Sequence, residues 1–257
     1  MRVFAASWAL PLLFAVAAGK NAVNLAAEDK HPRQSVHRTR DAPLSLNIGF
    51  AHDPGQGHYD GVIGSPDDVW NFVDIGTTAV DYMRHANATG STARLRVTRH
   101  DGEWGVKGHQ GIFRGYIYHN FQCVDLEATL LGLSPSRYRA YVYAHGDAPN
   151  QNAQIEVIVG DRTLGRKATG NDGTWDFRAT DFTEGVQYVC FEFDVVAGQD
   201  VRIISRRDGS GYSMFNAIQL VPIQDAIPAN KRRKRSRTRG RRQSRADVGE
   251  TVPATAP

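Results

Sequence analysis

Hydrophobic and polar residues alternate along much of the chain with the two-residue period of a β-strand. Every second residue is apolar in residues 124–130 (VDLEATL), and the same alternation returns in residues 187–195 (QYVCFEFDV). Residues 138–144 (YRAYVYA) add aromatic and β-branched side chains, which suit a half-buried pleated surface. Because no segment sustains the i, i+3, i+4 apolar spacing of a helix, the pattern predicts an all-β protein.

Turn residues divide the chain into about nine short predicted strands. In the central stretch, residues 123–146, a tight connection containing Gly132, Ser134 and Pro135 joins two of these strands. A single apolar face on many strands suits two sheets that pack face to face. We therefore expect residues 44–223 to form a two-sheet antiparallel β-sandwich of the jelly-roll type.

The regions on either side of this domain lack the strand pattern. Arg2 precedes the apolar residues 3–18 and a group of small residues, as in a secretory signal peptide. The apolar run falls short of the roughly 20 residues of a membrane span. We predict a signal peptide at residues 1–27, with several candidate cleavage sites, a polar linker at 28–43 and a disordered tail at 224–257. After cleavage no transmembrane segment is left, so the protein is expected outside the cell or in the periplasm or cell envelope.

The positive charge of the chain is concentrated in its tail. Ten of the 31 lysines and arginines lie between Lys231 and Arg245, which leaves 21 basic and 27 acidic residues elsewhere. The run resembles a nucleic-acid-binding arm, but an exported protein meets other polyanions. The expected partners of the tail are anionic envelope polymers, bound by counterion release and weakened by salt. A solvated tail without a partner is the alternative.

Three passages resemble a known class of modules. They are residues 68–71 (DVWN), residues 132–135 (GLSP) with the strand that follows, and residues 215–220 (FNAIQL). Together they resemble the galactose-binding-like jelly-roll modules of secreted bacterial proteins, including many that end in a PEP-CTERM sorting tail. The likeness covers residues 44–221, and its motifs are structural rather than catalytic.

This resemblance implies a noncatalytic module that binds sugar through loops at one edge of the sandwich. Some members of the class also hold a structural calcium ion. A PEP-CTERM tail needs an apolar helix before its basic residues, whereas here lysine and arginine follow Asn230 directly. The resemblance therefore does not extend to membrane sorting by that route.

Several side chains in or beside the predicted loops are candidates for sugar recognition, in which an aromatic ring stacks on the apolar face of a pyranose. Flanking polar groups would bind the sugar hydroxyls. The candidate ligand-binding residues are Trp104, Trp175, Tyr212, Arg206, Asp147, Asn150 and Asn152. Alternatively, the two tryptophans fill the ends of the sandwich core, since large aromatic side chains are mostly buried.

Four aspartates form a candidate structural calcium site. Asp53, Asp60, Asp67 and Asp68 lie close enough in sequence to supply several hard oxygen ligands, and glycines between them would let backbone carbonyls turn inward. The EF-hand spacing is absent, and solvated loop carboxylates are the alternative. The nine histidines are scattered without the short spacings of a zinc site.

Cys123 and Cys190 are the two cysteines of the chain, and secretion would place them where disulfides persist. Each alternates in step with acidic residues that follow it, so both are expected on polar faces. A disulfide between neighbouring strands and a pair of free thiols are the two alternatives.

No catalytic motif is present: the sequence lacks the G-x-S-x-G elbow, the P-loop and the GxGxxG fingerprint. The leading hypothesis is a secreted noncatalytic module that binds carbohydrate or another cell-surface component, held near anionic envelope material by its tail. One alternative is an extracellular carbohydrate-active enzyme, a hydrolase or lyase, because a pair of catalytic carboxylates is defined by spatial separation rather than by sequence spacing. The other is a structural envelope protein that packs against its neighbours.

Overall fold

The computed structural model describes residues 44–51, 59, 61–106, 111–121, 123–177 and 182–223. The predicted signal peptide, linker and basic tail lie outside these residues. Within them, no helix is long and apolar enough to cross a membrane. One three-residue 3-10 helix, Gly111–Phe113, accompanies fourteen strands in the described ranges. The strands are β1 (Leu46–Phe50), β2 (Asn71–Val73), β3 (Ala79–Val80), β4 (Arg94–Val97), β5 (Gly102–Gly105), β6 (Gly115–His119), β7 (Leu126–Leu131), β8 (Ser136–Tyr143), β9 (Ala153–Val159), β10 (Arg162–Ala168), β11 (Tyr188–Val195), β12 (Val201–Arg207), β13 (Ser213–Phe215) and β14 (Ala217–Ile223).

Eleven of the strands lie in two large sheets. The strand order is β11-β8-β14-β1-β2 in the five-stranded sheet and β10-β9-β12-β7-β4-β3 in the six-stranded sheet. Neighbouring strands run antiparallel, apart from β1 and β2, which pair in parallel. Ile48, Val142 and Phe191 of the first sheet share one buried core with Leu126 and Ile203 of the second. The expected all-β sandwich of two facing sheets is therefore confirmed.

The alternation of the sequence decides which face each strand buries. On β11, Phe191 and Phe193 are buried while Glu192 and Asp194 are exposed. Every second residue of β7 is buried in the same way. Removing apolar surface from water stabilises the fold by about 25 cal/mol per Å². A strand therefore cannot bury its polar face in place of its apolar face without a large loss of stability.

The tight connection predicted between β7 and β8 joins strands that do not pair with each other. β7 lies between β12 and β4 in the six-stranded sheet, whereas β8 lies between β11 and β14 in the five-stranded sheet. The connection therefore crosses from one sheet to the other. Its Gly132 has a φ of +68°, and a Cβ at this position would lie 2.8 Å from the Thr92 carbonyl oxygen. Both the backbone conformation and the close approach favour glycine here.

A second apolar cluster covers the outer face of the five-stranded sheet. Ala140 and Val142 of β8 belong to the main core, while Tyr141 and Tyr143 belong to this outer cluster. The C-terminal half of β8 is therefore buried on both faces, which accounts for its aromatic content. The buried residues that complete the cluster are Tyr59, Val62, Ile63, Ile112, Phe113, Tyr188 and Ala217.

A third sheet has three strands in the order β13-β6-β5. Ile117 of β6 and Phe215 of β13 are paired residues, fully buried in the main core, and they attach this sheet to the sandwich. β5 pairs with β6 and is an edge strand of the sheet. Trp104 was expected in or beside a loop, whereas the structure places it in this edge strand.

The structure contains more strands than the sequence pattern predicts, because β3, β5 and β10 lack a clear alternation. β10 exposes nearly all of its side chains and lies at the edge of the six-stranded sheet. β5 is the tetrapeptide GEWG, in which only the first residue is buried. A strand without an apolar face carries no two-residue period, so such edge strands are recognisable only by their pairing.

The disulfide considered from the sequence does not form in the structure, where Cys123 and Cys190 are both free. Cys190 lies on β11 in the five-stranded sheet, and Cys123 precedes β7 in the six-stranded sheet. The two cysteines therefore do not lie on neighbouring strands, which the disulfide would have required. Cys190 is half-buried on the same face of β11 as Glu192, and there it packs against the outer apolar cluster.

Candidate functional site

An open cavity of about 490 Å³ lies beside the three-stranded sheet, within the range of volumes common for ligand pockets. Its walls come from β5, from β6 and from the loops around them. The lining residues are Trp104, Tyr116, Tyr118, Asn120, Asp147, Ala148, Pro149, Gln151, Trp175, Asp176, Gly211 and Tyr212. Five of these twelve side chains are aromatic, which makes the cavity the leading candidate for a binding site.

Three tyrosines, Tyr116, Tyr118 and Tyr212, form what we term the aromatic floor of the cavity. Tyr118 meets Tyr116 edge-to-face at 6.2 Å between ring centroids and Tyr212 at 5.6 Å. Gly102 is the register partner of Tyr118, and a Cβ on Gly102 would lie 2.8 Å from the Tyr118 hydroxyl oxygen. The Tyr118 ring therefore occupies the space that the missing side chain of Gly102 leaves open.

Two tryptophans stand at the rim of the cavity, and both are exposed to solvent. Trp104 keeps 55% of its surface accessible and Trp175 keeps 77%. The alternative that they fill the ends of the sandwich core is therefore wrong. Exposing such large apolar rings is unfavourable in the absence of a partner, so a pair of them at one cavity indicates a binding surface.

The loop that carries Asp147 is held in shape by Gln151. The backbone NH of Gly146 donates to the Gln151 carbonyl at 2.8 Å, and the NH of Ala148 donates to Gln151 Oε1 at 3.1 Å. The hydroxyl of Tyr116 donates to the same Oε1 atom at 3.3 Å. Gln151 thus couples this loop to the aromatic floor, and its side chain is almost fully buried.

Short hydrogen-bonded turns position Trp175. Asn171 Oδ1 accepts from the NH of Gly173 at 2.8 Å, and Asp172 Oδ1 accepts from the NH of Thr174 at 2.8 Å. The next turn ends at Asp176, whose NH donates to the carbonyl of Asp147 at 2.7 Å. These contacts tie the tryptophan to the opposite loop, so its ring is presented from an ordered backbone.

Among the described residues that line the cavity, the charged ones are Asp147 and Asp176. Burial raises the pKa of the Tyr116 hydroxyl well above its ordinary value, and the negative charge of Asp147 raises it further. Tyr116 therefore stays protonated at neutral pH and acts as a hydrogen-bond donor. The described lining of the cavity is therefore aromatic and acidic.

The structure brings four of the sequence-derived candidates together and leaves three elsewhere. Trp104, Trp175, Tyr212 and Asp147 line the cavity, whereas Asn150, Asn152 and Arg206 do not. Asn150 occupies an exposed turn position with a φ of 59°.

Asn152 and Arg206 have structural contacts that explain their positions. Asn152 is nearly buried, and its Nδ2 donates to the Thr169 carbonyl at 2.9 Å and to Asp208 Oδ2 at 3.0 Å. Arg206 instead donates to Glu156 at 2.8 Å and to Asp125 at 2.7 Å across the six-stranded sheet. These two residues do not line the cavity, and their polar groups hold strands and loops together.

The four candidate calcium ligands are only partly covered by the structure. Asp53 and Asp60 lie outside the described residues. Asp67 is exposed and Asp68 half-buried, and the backbone NH of Asp67 donates to Ser65 Oγ at 3.1 Å. No group of three or more histidine, cysteine, aspartate or glutamate side chains that could hold a metal ion occurs among the described residues. The calcium site stays a prediction.

Most of the polar and aromatic lining was not predicted from the sequence, including Tyr116, Tyr118, Asn120 and Gln151. One signal was available, since residues 116–118 (YIY) alternate and residues two apart on a strand share a face. Two aromatic rings on one strand face, opposite an apolar Ile117 in the core, indicate a surface that is either covered or functional. Whether this face is covered or functional depends on how β6 pairs with β5. Such pairing is a long-range property.

Comparisons with known proteins found likeness only at the level of weak structural similarity. No protein-family model matches the chain, and no curated protein matches it. A Bacillus subtilis protein aligns at 12% identity and a TM-score of 0.33 over 70% of this chain and 40% of its own. A family 35 carbohydrate binding module from Clostridium thermocellum aligns at 12% identity and 0.35, over 50% of this chain and 92% of the module.

A family 35 carbohydrate binding module from Paenibacillus barcinonensis aligns at 11% identity and a TM-score of 0.32, over 50% of this chain and 93% of the module. This chain thus spans less than half of the Bacillus subtilis structure and nearly all of each isolated module. TM-scores of this size carry no argument about function, which therefore depends on the geometry of the cavity. The resemblance to the modules of PEP-CTERM-type exported proteins, without their sorting tail, stays a prediction.

Proposed function

We propose that this protein is a secreted, noncatalytic module that binds carbohydrate in the cavity beside the three-stranded sheet. One observation carries the proposal: Trp104 and Trp175 stand exposed at the rim of a cavity whose floor is also aromatic. Sugars present a face of C–H groups that packs on such rings, while their hydroxyls need polar partners at the edge. The flanking Asn120 and Asp147 supply such partners.

The arrangement suits binding because the backbone that carries the two tryptophans is ordered before a ligand arrives. Trp104 lies in a paired strand and Trp175 in a hydrogen-bonded turn, so little backbone freedom is lost on complex formation. A preorganised aromatic surface of this kind gains affinity mainly from apolar contact. An oligosaccharide of two or three residues would fill a cavity of about 490 Å³.

The proposal is tested by screening the purified chain on a glycan array and measuring the hits by calorimetry. Trp104→Ala and Trp175→Ala should each weaken binding by about tenfold or more, since aromatic anchors dominate such interfaces. Tyr82→Ala is the matched control, because Tyr82 is 94% exposed and does not line the cavity. Uniform binding across diverse glycans, or affinities that both tryptophan variants preserve, would overturn the proposal.

We further propose that the basic run from Lys231 to Arg245 holds the module near anionic envelope material. Ten positive charges in fifteen residues attract anionic surfaces by counterion release. The full chain should sediment with vesicles of phosphatidylglycerol at low salt and be released at high salt, while a chain ending at residue 223 should not sediment. Equal retention of the truncated chain would contradict this role of the tail.

A second candidate function is supported by the two carboxylates, Asp147 and Asp176, that border the same cavity. Pairs of carboxylates perform glycoside hydrolysis, so an extracellular carbohydrate-active enzyme is the alternative. Release of soluble products from a polysaccharide, abolished in Asp147→Asn or Asp176→Asn but not in Asp161→Asn, would establish it. A glycan that binds at the cavity and is recovered intact after long incubation would exclude it for that glycan.

A further inference from the structure

We propose that the cavity prefers a sugar that carries a positive charge, a glycan of glucosamine units, over its N-acetylated counterpart and over uronic acids. This inference depends on the carbohydrate-binding function proposed above and names the class of ligand. It starts from the charges around the cavity rather than from its shape. Among the described lining residues, Asp147 and Asp176 are the charged ones and both are acidic.

The position of Asp147 makes its charge effective inside the cavity. Its carboxylate is half-buried, and it interacts electrostatically with the hydroxyl of Tyr116 on the aromatic floor. In partly desolvated surroundings a carboxylate attracts an ammonium group more strongly than it would in water. A protonated amine on a bound sugar would therefore find its counterion beside the floor.

The aromatic rings favour the same ligand charge. An ammonium group within about 6 Å of a tryptophan or tyrosine face is attracted by the ring quadrupole, and tryptophan is the best such partner. Trp104 and Trp175 border the cavity and are both exposed, so an amine has two tryptophan rings to approach. Rings and carboxylate thus act together on a cation.

The same charges disfavour an anionic sugar. A uronic acid would bring its carboxylate towards the carboxylates of Asp147 and Asp176, which repel it. None of the described lining residues is a lysine, arginine or histidine that could pair with it. N-acetylation keeps the ring and the linkage of glucosamine but removes the charge. The acetylated oligomer is therefore the matched neutral ligand, and the uronate oligomer is the anionic one.

The test compares three tetrasaccharides on the full chain by calorimetry, at a pH where amines are protonated: β-1,4-linked glucosamine, its N-acetylated form and galacturonate. We expect the glucosamine tetramer to bind about tenfold tighter than the acetylated one. Added sodium chloride should weaken the first and leave the second unchanged. Binding at the cavity is defined as the part that Trp104→Ala removes, which separates it from attraction to the tail or to the acidic body.

The isosteric variant Asp147→Asn removes the charge but keeps a hydrogen-bonding group, so it should lower the affinity for the glucosamine tetramer about tenfold more than that for the acetylated tetramer. Asp161→Asn is the control, because Asp161 is an exposed aspartate in the turn between β9 and β10 that does not line the cavity. A circular-dichroism melt confirms that each variant is folded.

Two results would overturn the inference. One is wild-type binding of the acetylated or the galacturonate tetramer at least as tight as that of the glucosamine tetramer. The other is an Asp147→Asn variant that weakens charged and neutral ligands equally, which would make Asp147 a simple hydrogen-bond acceptor. If none of the three binds but another glycan does so in a Trp104-dependent manner, this inference fails and the proposed function stands. If no glycan binds at all, the proposed function fails.

Discussion

Trp104 on β5 is the antiparallel register partner of Tyr116 on β6, so one exposed ring and one buried ring lie on the same face of the three-stranded sheet. The next pair on that face is Gly102 and Tyr118. An aromatic ring opposite a glycine can lie flat over the strand, which opens the cavity instead of filling it. The shape of the candidate site therefore depends on a residue that has no side chain.

Adding a single methyl group at Gly102 should disturb the site without unfolding the protein. In Gly102→Ala the new Cβ would lie 2.8 Å from the Tyr118 hydroxyl oxygen and 3.0 Å from Cζ, so the ring must swing away. Because Tyr118 contacts both other rings of the floor, we expect glycan affinity to fall by about tenfold, while the melting temperature changes little. Calorimetric titration together with a thermal melt measures both.

The control for this variant is Gly105→Ala on the same strand, where a Cβ would meet nothing within 4 Å. It should leave the affinity unchanged. Equal affinities for Gly102→Ala and the wild type would show that the position of Tyr118 does not shape the binding surface.

Arg207 should be more important for the site than its charged neighbours on β12. Its guanidinium donates to the carbonyls of His119, Phe121 and Val124 at 2.7, 2.8 and 2.9 Å, which holds the loop that carries Asn120. Lysine has one nitrogen in place of the planar fork, whose Nη1 and Nη2 both donate here, so Arg207→Lys should lower the free energy of unfolding by about 1–3 kcal/mol and weaken glycan binding. Urea denaturation and calorimetry check the two effects.

Arg202→Lys is the matched comparison, since Arg202 lies on the same strand and forms an exposed ion pair with Glu127. Such pairs contribute about 0–1 kcal/mol, so a small change is expected. Losses of equal size in the two variants would refute the special role of Arg207.

The two cysteines should react at different rates in the folded protein. Cys123 is exposed, whereas Cys190 is half-buried and burial raises the pKa of its thiol to about 11, with the charge of Glu184 adding to the effect. Brief treatment with iodoacetamide at about pH 8, followed by peptide mass spectrometry, should therefore label Cys123 first. Both should be labelled after unfolding in urea. Recovery of a disulfide-linked peptide pair from unreduced material would contradict the structure.

The sequence was informative about the fold wherever one strand face is buried and the other is wet. β7 and β11 are such strands, and their alternation alone predicted an all-β sandwich. β10 was missed because its side chains are exposed on both faces. The placement of β7 and β8 in different sheets could not be predicted either, since local alternation does not identify a strand's partner.

For the site, turn chemistry pointed to the correct loops but not to the correct side chains in each. Trp175 and Asp147 were chosen because they follow or occupy turns, and both line the cavity. Arg206 was chosen on the same grounds, yet its guanidinium donates to Glu156 and Asp125. The adjacent Arg207 instead holds the loop that carries Asn120. Distinguishing these two arginines requires knowledge of which carboxylates lie across the sheet, which is a long-range property.

His100 should make the stability of the protein depend on pH. It is 6% exposed in the segment between β4 and β5, and burial lowers the pKa of its imidazole below the ordinary value of 6.5. The carboxylates of Glu103 and Asp101 oppose this shift, but burial outweighs them. The unfolded chain therefore binds a proton at His100 more readily than the folded chain does.

Because the folded-state pKa is the lower of the two, the contribution of His100 is fully present above pH 6.5 and is lost as the pH falls from 6.5 through the folded-state pKa. Urea denaturation between about pH 5 and pH 8 should show the free energy of unfolding decreasing on acidification. The decrease should be smaller in His100→Gln and in His100→Asn, two variants that rule out an effect of one particular replacement. Parallel pH profiles for the wild type and both variants would show that His100 is protonated equally in the folded and unfolded states.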